Sequence, residues 1–345
     1  MSRLPLILTA ASVALPAHAE VPHVMTDIAP VHSLVAQVMG DLGTPGLLVE
    51  PGMDAHNVTL RPSVAQELDS ADLVVQVGQA LTPWLEEPLE NLAADAVVLT
   101  LLETEGWTPI AYEEHDHGDH GDHGDHGDHA DHEDDHGDEA HAEDHDHDHS
   151  EEDHGDHDEP EDASAETDDH HDHGDFDPHA WLDPTIAAVW VEAIRGALSD
   201  ADSGNAATYE ANAATAIADL EMLAIEVEDL LATGTPGTWL APHNAFGYFE
   251  AHFDFPAAGA VADGEAVSPG PSEVGNLRAL VENGTVTCVL SETDTNDNRA
   301  RTLTEGTEAR TATVNVTGAG LEPGPALYGD LLRSIARTLA ECTAS

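Results

Sequence analysis

The sequence predicts an α/β protein: two lobes with mostly parallel sheets, joined by a long rigid helix and interrupted by one disordered polar insertion. Three observations lead there. Short runs rich in β-branched residues alternate with helical patterns on both sides of the insertion, which is how βαβ units read in sequence. An apolar stripe at intervals of three and four persists from residue 203 to 232. Residues 113–175 contain no aliphatic side chain other than alanine, so nothing there can offset the entropy of ordering.

The chain begins with a secretory signal over residues 1–19. Arg3 is its thin basic region, residues 4–15 its apolar core, and Ala17-His18-Ala19 an A-x-A site with cleavage expected after Ala19. The apolar run is too short to span a membrane, and no later stretch is long enough, so the mature protein is expected to be soluble and periplasmic. The expected domains are an N-terminal lobe over 20–202 that contains the insertion, a linker helix over 203–232, and a C-terminal lobe over 233–345.

Candidate strands before the insertion are residues 23–27, 46–50, 73–77 and 97–101; after it come 238–242, 257–262, 286–291 and 312–316. Between them Val31, Leu34, Val35 and Val38 form one helical face stopped by Gly40, and Ser63 is a candidate N-cap for 64–70. The stripe of the long helix is Tyr209, Ala213, Ile217, Leu220, Ala224, Val227 and Leu231, about 45 Å of helix at 1.5 Å per residue. It predicts an amphipathic helix packed along the body, a strut between the two α/β units, or both. Cys288 and Cys342 are the only cysteines. In an oxidising compartment such an even pair forms a disulfide; two buried thiols are the alternative.

Charge narrows the partners. The chain has 69 acidic residues against nine arginines and no lysine, which repels nucleic acid and anionic membrane surfaces. Outside residues 113–177 the balance is still 38 acidic to nine basic, as suits a saline environment or a cationic ligand. The insertion carries 17 of the 24 histidines, with the repeat GDHGDHGDHGDH at 118–129. Imidazole and carboxylate at that density bind borderline divalent cations such as Zn²⁺, whereas a plain solvated spacer has no use for a histidine at every third position.

Six histidines remain in the body: His23, His32, His56, His179, His243 and His252. Three stand out by place. His56 lies in PGMDAHNVTLRPS just past a strand, His179 in FDPHAWLDP where the chain leaves the insertion, and His243 in WLAPHNAFGYFE at a strand end. Ligands of open α/β sheets collect at the carboxyl ends of strands, so these imidazoles can share one cleft. Their spacings of 123 and 64 residues match no local zinc motif, and no H-E-x-x-H, C-x-x-C or P-loop pattern is present.

In the order PVHSLVAQVMG, PGMDAHNVTLRPS, FDPHAWLDP, PHNAFGYFE and CVLSE the chain resembles the periplasmic solute-binding proteins of metal ABC transporters, and most of all the zinc-specific ZnuA type. The resemblance implies a metal buried between the lobes, ligands at His56, His179 and His243, and a monomeric receptor that passes Zn²⁺ to a membrane permease rather than an enzyme. The paired cysteines suit it, a C-terminal disulfide being common in the zinc branch. Manganese-specific relatives usually place a carboxylate where this chain has His243, and three imidazoles favour zinc. Some zinc receptors carry a glutamate immediately before the first histidine; here that residue is Ala55, which leaves the fourth position to water or to Glu322 in GAGLEPG, where other relatives supply an aspartate. Asp54 is a candidate for supporting the site, and Glu292 for facing the cleft. The competing readings are a storage or buffering protein whose function is the insertion, a receptor for another divalent metal such as manganese, and a zinc hydrolase or hydratase, which lacks a recognisable general base.

Overall fold

A computed structural model describes residues 21–111, 176–262, 270–292 and 298–344. The signal segment and residues 113–175 lie outside the described residues.

The N-terminal half runs β1 (Val24–Thr26), α1 (Ala29–Met39), β2 (Gly46–Leu47), α2 (Pro62–Asp69), β3 (Leu73–Gln76), α3 (Glu86–Leu92) and β4 (Val97–Thr100). Next come α4 (Pro184–Ala201) and α5 (Ala206–Leu231). The C-terminal half runs β5 (Trp239–Ala241), α6 (Gly247–Phe253), β6 (Gly259–Ala260), α7 (Pro271–Glu282), β7 (Cys288–Glu292), α8 (Asn298–Thr304), β8 (Arg310–Val314) and α9 (Leu327–Thr343). Each half forms a four-stranded sheet, ordered β2-β1-β3-β4 and β6-β5-β7-β8, with every pair parallel. The two-lobe α/β expectation is met, and all eight candidate strands are present.

Sheet position explains the strand boundaries. β1 and β3 are central and buried at every residue, as expected where both faces are covered. β2 and β6, at the edges, shorten to two residues each. β4 is the opposite edge, and Val97 there is 60% exposed. β8 begins two residues before its expected start because Arg310 pairs with Cys288 and the ladder ends at Val314 opposite Glu292.

The helices depart more from the periodicity. Every residue of α1 except Gln37 is buried, because the helix packs against α4, α5 and α9 as well as its own sheet. α5 is 26 residues long, about 39 Å at 1.5 Å per residue. It packs on α1 and α4 of the first half and α9 of the second, so both the packed-helix and the strut readings hold. Its buried set is Tyr209, Ala213, Ala216, Leu220, Leu223, Val227 and Leu231. Ile217 and Ala224, expected in the stripe, are only half-buried. α4 starts at the Asp183 N-cap, whose Oδ1 accepts from the Thr185 N–H at 2.7 Å, with Pro184 in the first turn.

Hydrogen bonds join the halves directly. The fully buried Trp181 donates from Nε1 to the Val316 carbonyl at 2.9 Å, and its own carbonyl accepts from the Tyr328 hydroxyl at 2.7 Å. The Ser33 hydroxyl donates to the Pro325 carbonyl and accepts from the Tyr328 N–H, while Gln37 Nε2 donates to the same carbonyl. Asp183 pairs with His252 at 2.9 Å; burial pushes its carboxyl up, but the contacts with His252 and Thr185 together hold it below its ordinary range.

The disulfide is Cys288–Cys342, with Cα atoms 5.5 Å apart, and it fastens β7 to α9. It closes a separation of 54 residues, which in the loop-entropy model is worth about 4 kcal/mol. Two outcomes follow. Replacing both cysteines by serine lowers the chemical-denaturation midpoint without abolishing the fold, as far-UV circular dichroism during urea titration will show. Trp181→Phe keeps the apolar bulk but strands the Val316 carbonyl, so the same titration reads a loss of about 1–3 kcal/mol.

Candidate metal centre

Three loops converge beyond the carboxyl ends of the strands. The loop after β2 carries His56. It is fixed by Trp84, whose Nε1 donates to the Ala55 carbonyl at 2.7 Å, and by Asp54, whose Oδ1 accepts the His56 N–H at 2.8 Å. An Arg61–Glu50 ion pair closes the loop's base, but both side chains are 59% exposed and the pair adds little. Gly52 has φ +86°, and a Cβ there would come within 2.8 Å of the Ala319 side chain, so the loop meets the turn after β8 at a glycine for want of room.

His179 and His243 are buried, at 2% and 3% exposure. Asp177 Oδ1 accepts from the His179 N–H at 2.9 Å and contacts its ring Nδ1 at 2.7 Å. Glu292, at the end of β7, contacts His243 Nδ1 at 2.9 Å. A carboxylate only accepts, so each Nδ1 carries the proton and each Nε2 presents the coordinating lone pair. Asp177 and Glu292 are themselves buried, at 4% and 6% exposure.

The ring centroids of His179 and His243 are 5.3 Å apart and those of His56 and His179 6.1 Å. Tetrahedral coordination with about 2.0–2.1 Å from zinc to nitrogen requires centroids about 5.2 Å apart. The buried pair already meets that spacing, and His56 stands roughly 1 Å too far out. Accordingly, no three His, Cys, Asp or Glu side chains among the described residues form a finished ligand array. The His56 pKa is lowered to about 4, chiefly by burial and then by His179, with Asp54 opposing. Neutral His56 is the form that coordinates, and the proton competes with a metal there at lower pH than the ordinary histidine value suggests.

The remaining candidates lie outside this trio of rings. Glu322 is exposed, on the turn between β8 and α9 that includes positive-φ Gly318, Gly320 and Gly324. His32 is buried with Nε2 on the Pro45 carbonyl, His23 contacts Ser70 and Asp72, and His252 contacts Asp183 and Thr185. Asp177 escaped the sequence reading. Its signal is a shared D-x-H pattern: Asp54-Ala55-His56 and Asp177-Pro178-His179 both turn the aspartate onto the N–H two residues on.

Comparison with known proteins identifies the family. The model of the family described as ZnuA, zinc-uptake complex component A periplasmic, matches residues 24–342. A protein of Paracoccus denitrificans named high-affinity zinc uptake system protein ZnuA is 40% identical over 341 residues, covering 98% of this chain and 97% of the relative. A Brucella abortus protein of the same name is 34% identical over 325 residues, covering 92% and 91%. Among solved structures, a ZnuA crystal structure superimposes with a TM-score of 0.68 at 18% identity, covering 93% of this chain and 99% of the other. A manganese-bound periplasmic metal-binding protein from Candidatus Liberibacter asiaticus gives 0.67 at 20%, covering 93% and 98%; both likenesses concern the fold. The family match spans nearly all of the folded chain, and the chain belongs to the ZnuA family of periplasmic zinc-uptake components.

Proposed function

We propose that this protein is a high-affinity receptor that captures Zn²⁺ in the periplasm and delivers it to the membrane permease of an ABC transporter. The observation that carries the reading is the convergence of His56, His179 and His243, two of them with Nδ1 committed to a buried carboxylate. The names of the Paracoccus and Brucella relatives point to the same ion.

The donor set selects the cargo. Three neutral imidazoles suit zinc, whereas manganese prefers oxygen donors. Two buried carboxylates just behind the rings supply two negative charges, which a divalent cation balances at one ion per site. A fourth ligand from water or Glu322 completes a tetrahedron; the glycine-rich turn gives Glu322 the freedom to approach. The mature chain would begin at Glu20 after removal of the signal. The histidine-rich residues 113–175 would serve as a weak, multi-site collector or sensor of zinc beside the specific site.

Three outcomes test this. Alanine at His56, His179 or His243 lowers affinity for the tightest zinc ion by more than about a hundredfold in competition with a chromogenic chelator; retention of that tight ion in the triple variant sinks the reading in favour of buffering by the insertion. Deleting residues 113–175 removes several weak zinc equivalents and leaves one tight site with zinc preferred over manganese. In the metal-free protein His56 titrates near pH 4 by NMR. Because this folded value lies below the unfolded one, the unfolded chain takes up the proton first. The contribution of neutral His56 to stability is therefore complete above pH ~6.5 and is lost as pH falls from there towards 4.

A further inference from the structure

Ala111 and Phe176 flank the insertion in sequence and face each other in an isolated antiparallel bridge. One residue inward on each side, the Asp177 N–H donates to the Ile110 carbonyl at 2.9 Å. The Ile110 N–H donates in turn to the Tyr248 hydroxyl on α6, at 2.9 Å, and so reaches the other lobe. Asp177 then grips His179 at both its backbone and its ring. The second Asp177 oxygen lies against the first residue of α6, where a Cβ on Gly247 would come within 3.1 Å of Oδ2. An unbroken series of hydrogen bonds thus runs from α6 through this two-stranded stem to the His179 ring.

We propose that the stem is a positioning device for the metal site, with Asp177 its positioning residue and α6 its anchor in the opposite lobe. Asp177 touches no metal; it sets the tautomer and rotation of His179 so that Nε2 points into the cleft. A free aspartate would rotate about χ1 and lose this geometry, but the Ile110 bond fixes its backbone and Gly247 leaves its carboxylate little space. A bare main chain at position 247 therefore has a function: it lets the helix and the carboxylate pack together without displacing the ring. The inference rests on His179 being a ligand, and its test separates the two claims.

The test uses the full mature chain with at most one equivalent of Zn²⁺ or Co²⁺, measuring affinity by chelator competition and ligand geometry by the visible cobalt spectrum. Asp177→Ala should weaken zinc binding by about ten- to a hundredfold and change the cobalt bands, and Asp177→Glu should recover part of both. Gly247→Ala keeps every polar group and pushes only on the carboxylate. It should weaken binding several-fold and alter the cobalt spectrum while the thermal midpoint is maintained. The proposal is overturned if Gly247→Ala and Asp177→Ala bind like the parent with unchanged spectra. Gly247→Ala decides alone if Asp177→Ala fails to fold. His179→Ala is the control: if it binds as tightly as the parent, the ligand assignment falls and the stem has nothing to position.

Discussion

Trp181 holds the two halves to each other and to the candidate site at once. It is fully buried, its indole N–H and its carbonyl are both satisfied by the C-terminal half, and its ring centroid lies 5.1 Å from that of His179. An indole that large must bury its apolar body and still find an acceptor. The Val316 carbonyl, just past the end of β8, supplies it. The backbone just downstream of His179 is thereby referred to the opposite sheet, and the distance from His179 to His243 becomes a property of the lobe junction rather than of either loop.

The carboxylates behind the rings extend the same logic into electrostatics. Burying Asp177 and Glu292 costs desolvation, and each carboxylate meets that cost with a histidine contact. Two carboxylates behind the rings also set the sign of the local field, negative toward the cleft. Asp27 makes a contrast elsewhere in the first half. It is fully buried and accepts from the Ile28 and Val77 N–H groups, and burial outweighs those bonds to raise its pKa to about 7. It ties β1 to β3 as structure, with no ring or cation nearby in its hydrogen-bond set.

Much of the molecule was legible in the residues because the signals were local. Strand positions followed from β-branched runs, the long helix from its stripe, and the convergence of three histidines from their places near strand ends. What the sequence hid was three-dimensional. α1 looked amphipathic yet is buried all round, since a periodicity argument sees one neighbour and α1 has several. Asp177 was read as part of an acidic run, and only the turn at Asp177-Pro178-His179 shows which of those carboxylates folds back on a ring. The lowered pKa of His56 was equally hidden, because it comes first from burial and then from His179, which no single sequence places beside it.

The contacts across the junction have a kinetic consequence. Parting the lobes would break the bonds at Trp181, Tyr328, Ser33, Gln37 and Ile110 together and lever against a helix that both halves share. The loop of His56 is held by bonds within its own half, from Trp84 to the Ala55 carbonyl and from the His56 N–H to Asp54, and its ring stands about 1 Å outside the spacing a tetrahedral ion demands. A movement confined to that loop leaves the junction bonds intact. Residence time of a bound ion is then sensitive to the contact between Gly52 and Ala319, where this loop meets the turn after β8.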